Sequence, residues 1–185
     1  MTAANIQAFT EVFPEANFAL MHRDPFRVLL SSCTISEGLS EIFLAEQPGP
    51  MRDEERVQEL FEWVKTTLAA LMEFAKNEPE RVSSIRYSDL MDDAVLATRA
   101  VYDSFGIDAL DDLENDILSY LEQQREGARI SPPKSYERFG FDHDAVWSDP
   151  VVAEYCEFFN VPREQSRMAD TKTGGGIDRS TQHSR

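Results

Sequence analysis

Residues 18–32 read FALMHRDPFRVLLSS and combine the patterns of a strand, a turn and the start of a helix. The apolar run over residues 17–22 predicts a short, mostly buried strand that ends in front of Arg23. A turn with Pro25 follows, and we expect a helix to open there because proline is well tolerated in a first helical turn. The same helix carries Ser31, eight residues after Arg23.

This order of residues can hold one anion. A guanidinium at the end of a strand and a hydroxyl in the adjoining helix both donate hydrogen bonds, and the N-terminus of a helix also favours negative charge. Arg23 and Ser31 are therefore the candidate binding residues, with Ser32 as a competitor for the hydroxyl. We expect Arg27 to lie on a different face of the helix. The alternative interpretation is a surface ion pair for Arg23 and an ordinary helical serine.

The composition narrows the class of protein. A chain of 185 residues with 42% hydrophobic residues suits one globular domain. The net charge of −16 argues against a nucleic-acid partner, although a few arginines can still bind a small anion at short range. No apolar run is long enough to span a bilayer. Cys33 and Cys156 have neither disulfide-framework nor zinc-site spacing, so we expect no metal and a cytoplasmic location.

The remaining pattern predicts a parallel α/β arrangement. A long amphipathic helix over residues 53–76 separates the first strand from a second strand at 82–87, and parallel strands need such a crossover. Ser88 is the expected N-cap of a helix that runs to Phe105, with Gly106 just beyond its end. Further helices are expected at residues 6–13, 25–44, 110–124, 142–147 and 150–159.

Only two strands are evident, whereas parallel sheets usually have several strands and are covered on both faces. Residues 1–162 are therefore interpreted as an incomplete α/β domain, and residues 163–185 as a disordered polar tail. An open sheet edge should leave an apolar patch near Phe18, Leu20 and Ile85. We accordingly expect the chain to form a homo-oligomer or to pair with a complementing chain.

The segment His22-Arg23-Asp24-Pro25, with Ser31, resembles the 3′-phosphate-binding segment of sulfotransferases that use 3′-phosphoadenosine 5′-phosphosulfate (PAPS). Further segments resemble this family, in particular its bacterial branch, in the same order along the chain. They are VFPEA at 12–16, IRYSDL at 85–90, RAVYDSFG at 99–106, SYERFGFD at 135–142 and the stretch 155–161.

The resemblance implies a partial P-loop-type fold: a helix-rich, three-layer parallel α/β domain that lacks the first strand and the Gly-rich phosphate loop. It implies that Arg23 and Ser31 bind the 3′-phosphate of PAPS, the co-substrate, and that Tyr87 stacks on or borders the adenine. The alternative for Tyr87 is an aromatic that caps the sheet edge. Arg129 and Lys134 are interpreted as a solvated loop, with nucleotide contact as the alternative. The family's phosphate loop and catalytic histidine would precede residue 1, so no catalytic residue is assigned.

Two classes of function follow. In the first, the chain is the C-terminal part of a sulfotransferase that moves a sulfuryl group from PAPS to an acceptor hydroxyl or amine, and it is inactive in isolation. In the second, it is a catalytically inactive remnant that binds nucleotide or another protein. His22 is interpreted as a strand residue that points away from Arg23 rather than as a base, since side chains alternate along a strand.

Overall fold

The structure, a computed structural model, describes residues 3–43, 54–108, 112–127 and 139–164. These residues form two strands and eight α-helices, joined in places by short turns. In chain order the elements are α1 (Ala3–Val12), β1 (Phe18–His22), α2 (Pro25–Phe43), α3 (Glu54–Asn77), β2 (Val82–Arg86), α4 (Tyr87–Asp92), α5 (Ala94–Ser104), α6 (Leu113–Gly127), α7 (His143–Trp147) and α8 (Pro150–Phe158).

The two strands pair in parallel, as the crossover pattern predicted. The register runs from Phe18 opposite Val82 to His22 opposite Arg86, so both strands end at the same edge of the sheet. Within the described ranges the sheet has these two strands and no more. The fold is thus a helix-rich α/β arrangement with a small parallel sheet.

The core lies between α2, α3 and α8. The apolar stripe of α3 predicted from the sequence is confirmed, since Val57, Val64 and Leu68 are all buried. From α2, Leu29 and Leu30 are almost fully buried in the same cluster. This packing fixes the start of α2, and with it the turn that follows β1.

The region after β2 differs from the sequence prediction. Tyr87 begins a helix instead of ending the strand, and Arg86, not Ser88, is the N-cap residue. The single helix expected up to Phe105 is broken at Asp93, whose side chain accepts a hydrogen bond from Leu96 N and starts α5. An aspartate that can cap a new helix favours this break. Gly106 follows the end of α5 with φ of 63°, as predicted for a residue beyond a helix C-terminus.

The apolar patch expected near Phe18, Leu20 and Ile85 is wrong for Leu20, while Phe18 and Ile85 are half-buried. Leu20 is buried, and Phe18 packs edge-on against Phe74 with ring centroids 4.9 Å apart. The exposed large apolar side chain of β1 is Met21, at 54% exposure. No helix in the described ranges is long and apolar enough to cross a membrane.

Some predictions concern residues outside the described ranges. The loop with Arg129 and Lys134 is one case, and the tail from residue 165 onward is another. The domain boundary after residue 162 stays a prediction, although Arg163 contacts Asp144 and Glu164 contacts Arg23.

Candidate anion-binding site

Arg23 and Tyr87 meet at the end of the sheet. Each residue directly follows the last residue of its strand, and the register places those two strand ends side by side. The guanidinium carbon of Arg23 lies 4.1 Å from the centre of the Tyr87 ring, which is a cation–π contact. The structure therefore brings together two of the three binding residues predicted from the sequence.

The guanidinium of Arg23 also binds a carboxylate from the far end of the described chain. Its Nε donates to Oε1 of Glu164 at 2.8 Å, and its Nη2 donates to Oε2 at 3.2 Å. These hydrogen bonds raise the pKa of Arg23, with the negative charge of Glu164 acting in the same direction. Arg23 is thus held in place by a bidentate carboxylate. Its side chain remains 38% exposed, so part of the guanidinium group is accessible to solvent.

Arg27 approaches the same carboxylate from α2. Its Nε lies 3.7 Å from Oε2 of Glu164, and its side chain is 19% exposed. The expectation that Arg27 lies on a different face of the helix is therefore wrong. The first turn of the helix leads back toward the strand end, so both guanidinium groups converge on one carboxylate.

Ser31 lies one helical turn beyond Arg27. Residues four apart share a face of an α-helix, so the exposed Ser31 extends the row that Arg27 begins. Within the described ranges Arg23 binds Glu164 and packs on Tyr87, and it makes no hydrogen bond to Ser31. The competing Ser32 is engaged elsewhere, because its hydroxyl donates to the backbone oxygen of Val28 at 2.9 Å.

Asp24 organises the turn beneath these side chains. It is 1% exposed, and its Oδ1 accepts hydrogen bonds from Phe26 N at 2.9 Å and from Trp147 Nε1 at 3.0 Å. Its Oδ2 accepts one from Glu164 N at 2.9 Å and lies 3.1 Å from His143 Nε2. One carboxylate therefore caps α2, contacts two side chains of α7 and anchors the backbone of Glu164. Because Asp24 occupies the Phe26 amide, this part of the helix N-terminus is not open to an external anion.

The path of the chain after α8 explains how Glu164 reaches the site. Asn160 has φ of 51°, a left-handed conformation that asparagine tolerates better than most residues. Val161 follows, buried, with its N–H donating to Cys156 O at 2.9 Å. The helix end is thereby turned back toward β1, and Glu164 arrives beside Arg23.

His22 is buried on the opposite side of β1. Its ring stacks on Phe159 with centroids 3.9 Å apart, and its Nδ1 is hydrogen-bonded to the Tyr155 hydroxyl at 2.6 Å. Burial lowers the pKa of His22 to about 4, so the ring is neutral at physiological pH. The expectation of a strand residue that is not a base is confirmed, since a side chain with 1% exposure is not placed to act as a base.

Together these residues form a corner whose guanidinium groups suit an oxyanion. Two guanidinium groups converge, an aromatic ring lies under one of them, and an exposed hydroxyl lies one turn away. In the described part of the chain no three histidine, cysteine or acidic side chains gather in a way that could hold a metal ion. The chemistry available here is binding and charge neutralisation.

Sequence reasoning missed three members of this site. Asp24 had a usable signal, because an aspartate directly before Pro25 at the start of a helix is a typical N-cap. Arg27 had a weaker signal in its distance of four residues from Ser31. Glu164 had none, since it follows the last predicted helix and no local pattern connects it to Arg23.

Comparison with known proteins identifies the family and the fold. A family model described as the sulfotransferase family matches residues 1–112. Among solved structures, the crystal structure of sulfotransferase STF9 from Mycobacterium avium superposes with a TM-score of 0.70 at 18% sequence identity. The similarity covers 86% of this chain and 40% of that chain, so this chain spans less than half the length of that sulfotransferase. No curated protein sequence matches the chain significantly.

Proposed function

Because this chain belongs to the sulfotransferase family, we propose that it contributes the 3′-phosphate and adenine side of a PAPS-binding site. The single observation that carries the proposal is the convergence of Arg23 and Arg27 on one carboxylate, beside the ring of Tyr87. A pair of guanidinium groups suits the geometry of a phosphate monoester. The exposed hydroxyl of Ser31 would add a third donor.

The reaction we propose for the whole protein is sulfuryl transfer from PAPS to an acceptor hydroxyl or amine. The bond from sulfur to the bridging oxygen breaks, a bond from sulfur to the acceptor forms, and the acceptor loses its proton to a base. Adenosine 3′,5′-bisphosphate is the second product. The described residues would contribute by positioning the nucleotide, which is a major part of catalysis in group transfer. We assign no catalytic base among them.

Tyr87 has a narrower role in this proposal. Its ring supports the guanidinium of Arg23 on one side, and the half-buried position at the end of β2 would allow the ring edge to border an adenine. This combines the two interpretations of Tyr87 from the sequence, since a ring at the sheet edge can pack and border a base together.

The test is a calorimetric comparison of adenosine 3′,5′-bisphosphate with AMP. The two ligands differ by the 3′-phosphate, whose charge-assisted contacts are worth about 1.5–3 kcal/mol. We expect the bisphosphate to bind at least about tenfold more tightly. Arg23→Ala should remove that preference, and Arg27→Ala should weaken it.

Arg99→Ala is the matched control, because Arg99 also pairs with a glutamate, Glu114, but on the exposed side of α5. This variant should keep the preference of the wild type. The proposed function would be refuted if neither the wild-type chain nor Glu164→Gln, which removes the carboxylate paired with Arg23, bound the bisphosphate more tightly than AMP.

The second candidate function is protein binding, in which the chain forms a homo-oligomer or pairs with a complementing chain. The observation that favours it is the exposure of apolar side chains on β1 and α1, with Met21 at 54% and Val12 at 67%. Sedimentation velocity over a hundredfold concentration range would reveal association. A concentration-independent monomer would contradict the homo-oligomer and leave the nucleotide proposal unaffected.

A further inference from the structure

The carboxylate of Glu164 occupies the position where an external anion would meet Arg23. Both of its oxygens are used: Oε1 accepts from Nε of Arg23, and Oε2 accepts from Nη2 of Arg23 at 3.2 Å while lying 3.7 Å from Nε of Arg27. A bidentate carboxylate and two oxygens of a phosphate present nearly the same pattern to a guanidinium. The same donors cannot serve both at once.

We propose that Glu164 is an internal anion that closes this site, and that a nucleotide 3′-phosphate binds by displacing the Glu164 side chain from Arg23 and Arg27. This inference rests on the proposed function, because it concerns the regulation of that same site. The site is therefore a switch with a closed state, in which Glu164 neutralises the arginines, and an open state, in which the phosphate does.

The backbone around Glu164 allows the exchange without unfolding the segment. The N–H of Glu164 donates to the buried Asp24, so the backbone stays anchored while the side chain can rotate. Val161, three residues earlier, is buried and holds the approach to the site. The side chains of the pair are 38% and 30% exposed, so solvent reaches the contact and the pair opens at modest cost.

Charge determines the direction of the exchange. Glu164 brings one negative charge to the guanidinium of Arg23. A phosphate monoester carries about −1.5 to −2 at neutral pH, so it attracts the same guanidinium more strongly than one carboxylate does. A ligand without this second anionic group, such as AMP bound by its base, gains less from displacing Glu164.

The experiment compares Glu164→Gln with the wild-type chain in calorimetric titrations with adenosine 3′,5′-bisphosphate and AMP. An internal competitor lowers the apparent affinity by the fraction of open sites. We therefore expect Glu164→Gln to bind the bisphosphate about three- to tenfold more tightly, with AMP affinity nearly unchanged. Glu164→Ala should also bind the bisphosphate more tightly than the wild type. It replaces the glutamine variant in the comparison if that variant does not fold. Thermal melting checks the fold of each variant.

Glu154→Gln is the control for net charge. Glu154 lies on α8 and pairs with Lys76 at 2.9 Å, so the control removes one exposed carboxylate and one ion pair without touching Arg23. It should leave both affinities within a factor of two, because exposed pairs of this kind contribute little.

The outcomes separate the inference from the function on which it rests. A gain in bisphosphate affinity in Glu164→Gln beyond that in Glu154→Gln supports the internal anion, including the case in which the wild type shows no preference. A wild-type preference for the bisphosphate that Glu164→Gln leaves unchanged overturns the internal anion and retains the proposed function. No preference in the wild type, Glu164→Gln and Glu164→Ala overturns both.

Discussion

The guanidinium of Arg23 lies 4.1 Å above the ring of Tyr87, although 63 residues separate the two in the chain. The contact follows from the strand register, which pairs His22 with Arg86 and so places the next residue of each strand at one corner. The candidate site lies at this corner, where the two parallel strands end side by side.

Replacement of Tyr87 separates its two proposed roles. Tyr87→Leu removes the cation–π contact, which is worth about 0.5–1 kcal/mol at partly exposed positions, whereas Tyr87→Phe keeps it. If the ring only supports Arg23, Tyr87→Leu should weaken binding of adenosine 3′,5′-bisphosphate about two- to fivefold, which corresponds to the energy of the lost contact. The affinity for AMP should then stay unchanged. If the ring also borders adenine, as we propose, AMP affinity should fall as well. Unchanged affinity for both ligands would contradict any role of Tyr87 in binding.

Asp24 should be important for stability. Asp24→Ala leaves three N–H donors, from Phe26, Trp147 and Glu164, without their acceptor and also removes the cap of α2. We expect a loss of about 2–4 kcal/mol in the free energy of unfolding, measured by urea denaturation. Asp89→Ala is the control, because Asp89 forms a partly exposed pair with Arg86 and should cost below about 1 kcal/mol. Equal losses in the two variants would show that Asp24 does not hold the C-terminal segment.

The buried His22 should make stability depend on pH. Its pKa is ordinarily 6.5 and falls to about 4 in the folded protein because of burial. Between these pH values the unfolded chain binds a proton at His22 that the folded chain does not bind. The free energy of unfolding should therefore be highest above pH 6.5 and should fall as the pH drops toward 4.

His22→Phe tests this dependence, since it keeps a ring on Phe159 and removes the titrating group. The slope of unfolding free energy against pH should be smaller in the variant, by at most about 1.4 kcal/mol per pH unit for one proton. Urea midpoints measured at several pH values give both slopes. Parallel slopes would mean that His22 does not titrate on unfolding.

The two cysteines should be protected from thiol reagents. Burial raises the pKa of Cys33 to about 11 and that of Cys156 to about 12, and the thiolate is the reactive form. At pH 8 both should react slowly in the folded protein and rapidly in urea. Cys156→Ser isolates the reaction of Cys33, which is 0% exposed and should be the slower of the two. Rapid reaction of either thiol without denaturant would indicate local opening of the core around α2 or α8.

The sequence alone determined the local elements and their order. Apolar alternation and helical periodicity located β1, β2 and α3, and the long crossover required parallel pairing, so Arg23 had to lie at the strand end. Such patterns work because burial and backbone geometry act over a few neighbouring residues. The prediction of one helix from Ser88 to Phe105 failed, because Asp93 caps the start of a second helix within that range.

The tertiary structure alone brought Glu164 and Arg27 to Arg23. Glu164 lies 141 residues downstream, and its position depends on the turn at Asn160, the burial of Val161 and the N–H bond to Asp24. Arg27 joins the site because α2 packs on α3 through Leu29 and Leu30. Contacts of this range arise from the packing of whole elements against one another, and no periodicity or spacing in the sequence encodes them locally.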